Sequence, residues 1–228
     1  AWKSRPASAR QTNDLVMLAH IRAEFSTSNE TYGSPRMHAE LREQGLEIGL
    51  NRVARLMSEN GLKARQKTRF KKTTDSDHGG PVAANILDRD FTATAPDQKW
   101  GVDISYVWTA EGWLYLAGVK DLFNGELVGY ALGSRMTQNL VMQALFRAVA
   151  AKRPEQGLIL HSDRGSQYCA RAYQKLLRQF GMVVSMSRKG DCWDNAPMES
   201  CWGSLKTELV HHYRFATREQ AKREITEY

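Results

Sequence analysis

The chain has 228 residues, 42% hydrophobic and 25% charged, with a mean hydropathy of −0.53, the composition of a globular protein with room for one sizeable domain and a smaller one. No apolar run reaches the ~18 residues of a membrane span, and the N-terminus does not read as a secretory signal. Three cysteines without a CxxC pair, Cys169, Cys192 and Cys201, suggest neither a disulfide framework nor a paired-cysteine zinc site, so a reducing, cytoplasmic setting is expected. The net charge of +7 is unevenly placed: residues 1–72 carry 14 Lys and Arg against 7 Asp and Glu, whereas residues 73–228 carry 18 of each. A basic module ahead of a balanced one points to a polyanionic partner, most often nucleic acid, because Lys and Arg displace counterions condensed on phosphates.

In the basic third, Leu18, Ile21 and Phe25 recur at helical spacing, predicting a helix over about Thr12 to Phe25. A second helix is punctuated by Ser34 as cap, Pro35 in the first turn and Gly45 as stop, with Met37 and Leu41 as its apolar face. A third spans about Gly49 to Asn60, with Leu50, Val53, Leu56 and Met57 on one side and Asn51, Arg55 and Ser58 on the other. The last two helices, joined by residues 45–49, match a helix-turn-helix whose second helix enters a major groove, which makes Asn51 and Arg55 candidate DNA contacts. Lys63, Arg65, Lys67, Arg69, Lys71 and Lys72 then form a tract of six positive charges without an acid, suited to a phosphate backbone. Residues 1–72 therefore read as a DNA-binding domain with a basic arm, and residues 73–98 as a linker.

Residues 99–228 read as a mixed α/β domain. Strands are expected at Gly101 to Thr109, Trp113 to Val119 and Leu127 to Leu132, separated by Glu111-Gly112 and Asn124-Gly125 turns. A helix from Thr137 to Lys152, a strand at Leu158 to Leu160, a helix from Arg171 to Phe180, a strand at Met182 to Met186 and a helix opening at Asn195-Ala196-Pro197 complete a five-stranded mixed sheet with flanking helices.

Acids stand at places in this pattern that call for compensation. Asp103 lies inside the first strand, where a carboxylate is a poor strand former and costly to bury alone. Asp163 directly follows the fourth strand, and adjacency of the first and fourth strands would bring the two together. Candidates for a third acid are Asp191, Asp194, Glu199 and Glu208. The first two precede the last helix. Glu199 and Glu208 are nine positions apart and so on opposite sides of it, and Glu199 sits in the first turn, at the positive end of the helix dipole. Glu199 is the choice, with Lys206 returning to its side seven positions on. Three converging carboxylates require a cation. Oxygen donors without a His cluster suit Mg²⁺ or Mn²⁺, and a pair of such ions supports in-line displacement at phosphorus. Arg188 and Lys189, just ahead of the catalytic helix, are further candidates for DNA contact, and His161 for a supporting role beside Asp163.

These residues resemble the transposases of bacterial insertion sequences, of the second-reading-frame type, whose catalytic core is of the retroviral-integrase, ribonuclease-H-like kind. The resemblance is carried by residues 100–106 (WGVDISY), 161–168 (HSDRGSQY) and 192–209 (CWDNAPMESCWGSLKTEL), with 35 residues between Asp163 and Glu199. It extends to Thr31-Tyr32-Gly33 and residues 52–57 (RVARLM) in the helix-turn-helix. It implies a ribonuclease-H-like core preceded by a small all-α DNA-binding domain, with Asp103, Asp163 and Glu199 as a DDE triad holding two Mg²⁺ or Mn²⁺ ions. It implies cleavage at the element's ends and strand transfer by the freed 3′-hydroxyl, with no covalent protein–DNA intermediate. The partners implied are double-stranded DNA, as terminal inverted repeats and target, and further copies of the chain, at least a dimer, on nucleoid DNA. The zinc module of retroviral integrases is absent from the pattern. The end at Tyr228, inside an amphipathic stretch, reads as a truncation.

The alternatives are a non-catalytic helix-turn-helix regulator and a nuclease of the same fold; a tyrosine recombinase would need an Arg and His cluster around one Tyr, which the sequence does not offer. Replacing Lys63, Arg65, Lys67 and Arg69 together by Ala is expected to weaken binding to all DNA sequences and to flatten its salt dependence. Fluorescence anisotropy titrations between 50 and about 200 mM salt check this, and unchanged affinity would remove the tract from the interface.

Overall fold

The computed structural model describes residues 8–64 and 81–228, and the chain divides into two compact units between residues 69 and 70. The first unit contains three helices, α1 (Ala9–Thr27), α2 (Ser34–Glu43) and α3 (Leu50–Glu59). Helix α1 starts three residues earlier than its apolar spacing suggests because Ser8 and Gln11 form a capping box. The Gln11 N–H donates to Ser8 Oγ at 3.3 Å and the Ser8 N–H to Gln11 Oε1 at 2.7 Å. At α2 the cap position falls to Gly33 rather than Ser34, which is the first helical residue.

Ile21, Phe25, Met37, Leu41, Ile48, Val53, Leu56 and Met57 form the core of this unit. Leu50, expected on the apolar side of α3, is instead exposed in its first turn. Asp14 of α1 clamps α3: Arg52 Nε donates to it at 2.6 Å and an Arg55 Nη at 2.7 Å. Those two arginines, Arg55 foremost, hold the Asp14 carboxyl below the ordinary value.

The second unit is built on a five-stranded sheet in the order β3-β2-β1-β4-β5. Its strands are β1 (Lys99–Thr109), β2 (Gly112–Asp121), β3 (Leu127–Gly133), β4 (Ile159–Ser162) and β5 (Val183–Met186). Strands β1 to β3 form an antiparallel meander, while β4 and β5 add in parallel beyond β1. The turns fall where glycine permits a positive φ, at Gly112 (φ 101°) and Gly125 (φ 77°).

The helices are α4 (Gln138–Lys152), a short α5 (Ser166–Cys169) that the sequence pattern does not signal, α6 (Arg171–Gln179), α7 (Ala196–Glu208) and α8 (Arg218–Glu227). Alternation along the strands divides the core in two. Val102, Ala117 and Val119 pack with α4, α5 and α6, whereas Val107, Leu114 and Leu116 pack with Met198, Trp202 and Leu205 of α7 and Ala221 and Ile225 of α8. Within the stretch expected to be a linker, residues 83–87 lie along β5: the Ile86 and Leu87 N–H groups both donate to Ser185 Oγ at 3.0 Å and the Met186 N–H donates to the Ala84 carbonyl at 3.3 Å.

Helix α4 approaches β3 so closely that a Cβ on Gly129 would stand 2.6 Å from the Ala144 carbonyl oxygen and 2.6 Å from the Ala148 nitrogen. Because these are backbone atoms, no side chain can move aside. Gly129→Ala is expected to cost about 1–3 kcal/mol by overpacking, read as a lower urea midpoint for the whole chain.

Candidate active site

Strand adjacency brings the first two acids together. The parallel register pairs Trp100 with Leu160 and Gly101 with His161, and its continuation sets Asp103 level with Asp163 just past the end of β4. Asp103 sits among the α7-facing residues of β1, where the Trp202 indole Nε1 donates to its Oδ2 at 3.0 Å. Asp163 Oδ1 accepts the Gly165 N–H at 2.8 Å, which fixes the turn into α5. Glu199 stands in the first turn of α7 and is exposed.

The electrostatics of Asp103 register the convergence. Burial raises its carboxyl pKa first, the charge of Asp163 next and that of Glu199 further, to about 8, against the lowering effect of the Ile104 N–H and the Trp202 indole. The other acids weighed for the third position have separate duties. Asp191 pairs with Arg89 and accepts the Trp193 N–H. Asp194 is fully buried and accepts from Arg188, Arg89 and Asn85. Glu208 accepts the Tyr228 hydroxyl at 2.8 Å.

Among the described residues, no three His, Cys, Asp or Glu side chains stand in ready coordination geometry. Asp103 lies within electrostatic range of both Asp163 and Glu199. Their chemistry fits a hard divalent ion. The donors are all carboxylates, and the nearest imidazole is committed elsewhere: His161 is buried, with Nδ1 2.9 Å from Ser185 Oγ and Nε2 3.1 Å from Ser187 Oγ. Its place is therefore in the strand-to-strand packing, not beside the acids. The buried Tyr168 hydroxyl has no hydrogen-bond partner among the described residues, and its pKa is raised by burial first and then by Asp103, with a smaller part from Asp163.

Lys206 is half-buried with its Nζ 5.0 Å from the centre of the Tyr106 ring. Burial lowers its pKa and the charge of Asp103 raises it, so it stands within electrostatic range of Asp103. Arg188 is exposed, and its Nε and Nη2 donate to Asp194 at 3.0 and 2.8 Å, which ties down the loop ahead of α7. Lys189 is exposed on the same loop. Asn195 occupies the N-cap position of α7 but makes no capping bond; its Nδ2 reaches the Val102 carbonyl at 3.4 Å and joins α7 to β1. In the first unit, Asn51 and Lys63 are exposed, while Arg55 is bonded to Asp14 and Glu59. Arg65, Lys67, Arg69, Lys71 and Lys72 lie outside the described residues.

Nothing in the sequence pattern assigns a part in the site to Gly118, Trp202 or Arg89. A glycine inside a strand is the one available signal, since it marks close approach of another group.

A two-domain protein with a helix-turn-helix ahead of an acid-bearing, integrase-like sheet is a DNA-processing enzyme of the polynucleotidyl transferase class, and comparison with known proteins agrees. An HTH-like domain model matches residues 11–70, and integrase core domain models match residues 93–192 and 199–228. The chain is 49% identical to the insertion element IS600 uncharacterized 31 kDa protein of Shigella sonnei, over 100% of this chain and 84% of that one. It is 41% identical to transposase InsF for insertion sequence IS3A of Escherichia coli strain K12, over 96% and 75%. The chain belongs to the insertion-sequence transposases with an integrase core. In fold it is similar to a chain of the simian T-cell lymphotropic virus intasome, with a TM-score of 0.50 and 14% identity over 90% of this chain and 66% of that one.

Asp194 provides a test of the loop that precedes α7. Hydrogen bonds from Arg188 first, and from Arg89, hold its carboxyl far below the ordinary 3.8. A depressed folded-state pKa gives stability that is complete above the unfolded value and lost as pH falls through the folded one. Asp194→Asn is therefore expected to be about 1–3 kcal/mol less stable than wild type at pH 7, with the gap closing on acidification below 3.8. Urea melts at pH 7 and at about pH 3 measure both.

Proposed function

We propose that Asp103, Asp163 and Glu199 are the catalytic triad of this transposase, and that they serve metal-dependent cleavage at the element's ends followed by strand transfer from the 3′-hydroxyl. The observation that supports this reading is the parallel pairing of β1 with β4, whose continuation sets Asp103 level with Asp163, with Glu199 on α7 near enough for its charge to act on Asp103. Carboxylates alone make the donor set, which suits one or two Mg²⁺ or Mn²⁺ ions. When bound, such ions supply activation of the attacking oxygen and stabilisation of the leaving one at phosphorus.

The protein's own groups then have distinct parts. Asp103 and Asp163 approach from neighbouring strands, and the Gly165 N–H holds one Asp163 oxygen in place. Glu199 approaches from a helix start, where the dipole favours its ionised form. Lys206, on the same helix and beside Asp103, is positioned to bind a phosphate of the DNA end. Asn51 and Arg55 on α3, with Lys63 and the basic residues through Lys72, engage the duplex, Arg55 exchanging its contacts with Asp14 and Glu59 for DNA; Lys189 adds a contact from the loop before α7. The active assembly on paired ends contains at least two copies of the chain.

Glu199→Gln preserves size and removes the charge. It is expected to abolish joining of labelled element-end DNA to target in Mg²⁺ while leaving the affinity for that DNA within about twofold, since only a group acting on the reacting atoms splits the two so sharply. Parallel loss of binding would make the residue structural, and hydrolysis without joining by the wild type would make the protein a nuclease.

A further inference from the structure

We propose that Trp202 is the positioning residue of this site: through its indole N–H it holds the Asp103 carboxylate in place for the cation and locks the helix carrying Glu199 to the strand carrying Asp103. The inference rests on the reading of Asp103, Asp163 and Glu199 as one cation-binding trio.

Three observations converge on it. First, an indole N–H is a donor only, and here it donates to Asp103 Oδ2 at 3.0 Å from a side chain 4% exposed. A buried donor of this kind fixes the carboxylate rotamer through one oxygen. Second, Trp202 lies three residues after Glu199 on α7, so the bond that orients the first acid also sets the rotation of the helix presenting the third. A rotation that moved Glu199 away would break the bond to Asp103.

Third, the sheet is shaped to receive the ring. Gly118 of β2 is paired with Asp103 of β1, and paired residues project on the same face. A Cβ at position 118 would stand 2.5 Å from Trp202 Cη2, 3.0 Å from Cζ2 and 3.1 Å from Leu127 Cδ1. The missing side chain is thus the slot through which the indole crosses β2 to reach the acid. A glycine in the middle of a long strand weakens it unless close approach requires one, and the approach required here belongs to Trp202. Groups that orient metal-binding side chains have effects of about 10- to 100-fold on metal affinity when removed.

The test is direct binding of Mn²⁺ to the full chain, followed by electron paramagnetic resonance of the free ion, with circular dichroism and thermal midpoint as checks of folding. Trp202→Phe keeps most of the ring and removes the donor; Gly118→Ala keeps the donor and displaces the ring. Both are expected to remain folded and to bind Mn²⁺ at least about 10-fold more weakly than wild type, and the double variant no more weakly than the worse single one, since both act on one bond. A folded Trp202→Phe protein with wild-type Mn²⁺ affinity would overturn the proposal. If that variant does not fold, hydrogen exchange of the ¹⁵N-labelled Trp202 indole decides: slow exchange in wild type that speeds up in Asp103→Ala supports the bond, and exchange indifferent to Asp103 overturns it. Wild-type protein that binds no Mn²⁺, or binds it unchanged in Glu199→Gln, sinks the cation-binding reading itself, a failure distinct from an unaltered Trp202→Phe.

Discussion

The constraint on which this molecule turns is the placement of a carboxylate, Asp103, in the middle of a long strand with two further acids within reach of its charge. Burial and those neighbours push its pKa up to about 8, so the ionised form is held at a cost that the surrounding structure only partly offsets. The indole of Trp202 and the Ile104 N–H favour the charged form. On the reading proposed above, a cation that neutralises the trio offsets the remaining cost.

Much of the second unit is arranged around that carboxylate. The meander places β1 centrally, with β4 in parallel beside it, and this juxtaposition carries Asp163 to Asp103. Helix α7 brings Glu199, Trp202 and Lys206 from one face, and its entry is fixed by a loop whose anchor is the buried Asp194 between Arg188 and Arg89. The result is a firmly held approach to the helix. Residues 81–91 take part in that anchoring through Asn85, Arg89 and the backbone contacts to Ser185.

In the helix-turn-helix unit the arginines of α3 serve two ends. Arg52 and Arg55 both bond Asp14, so α3, the helix proposed to face DNA, is tied to α1 by the same class of side chain that would bind phosphate or a base edge. Part-buried surface pairs of this kind contribute modestly singly, and a DNA phosphate can compete for them.

Apolar periodicity of 3.6 in the helices and of 2 in the strands is local, so the order and kinds of the main elements were legible in the sequence, the short α5 excepted. The sequence also singled out Asp103, Asp163 and Glu199 as the candidate trio, the first as an acid inside a strand, the second at a strand end and the third by its place in a helix first turn and its spacing of 35 residues from Asp163. Local reading was weaker at element ends, where the Ser8–Gln11 capping box and the exposed Leu50 depart from the apolar pattern. Only the tertiary structure decided what those acids touch. That Arg188 binds Asp194, that His161 lies between two serines and that Trp202 reaches Asp103 over Gly118 are contacts between residues far apart in sequence. Such partners are chosen by strand adjacency and helix rotation, which no stretch of chain encodes alone.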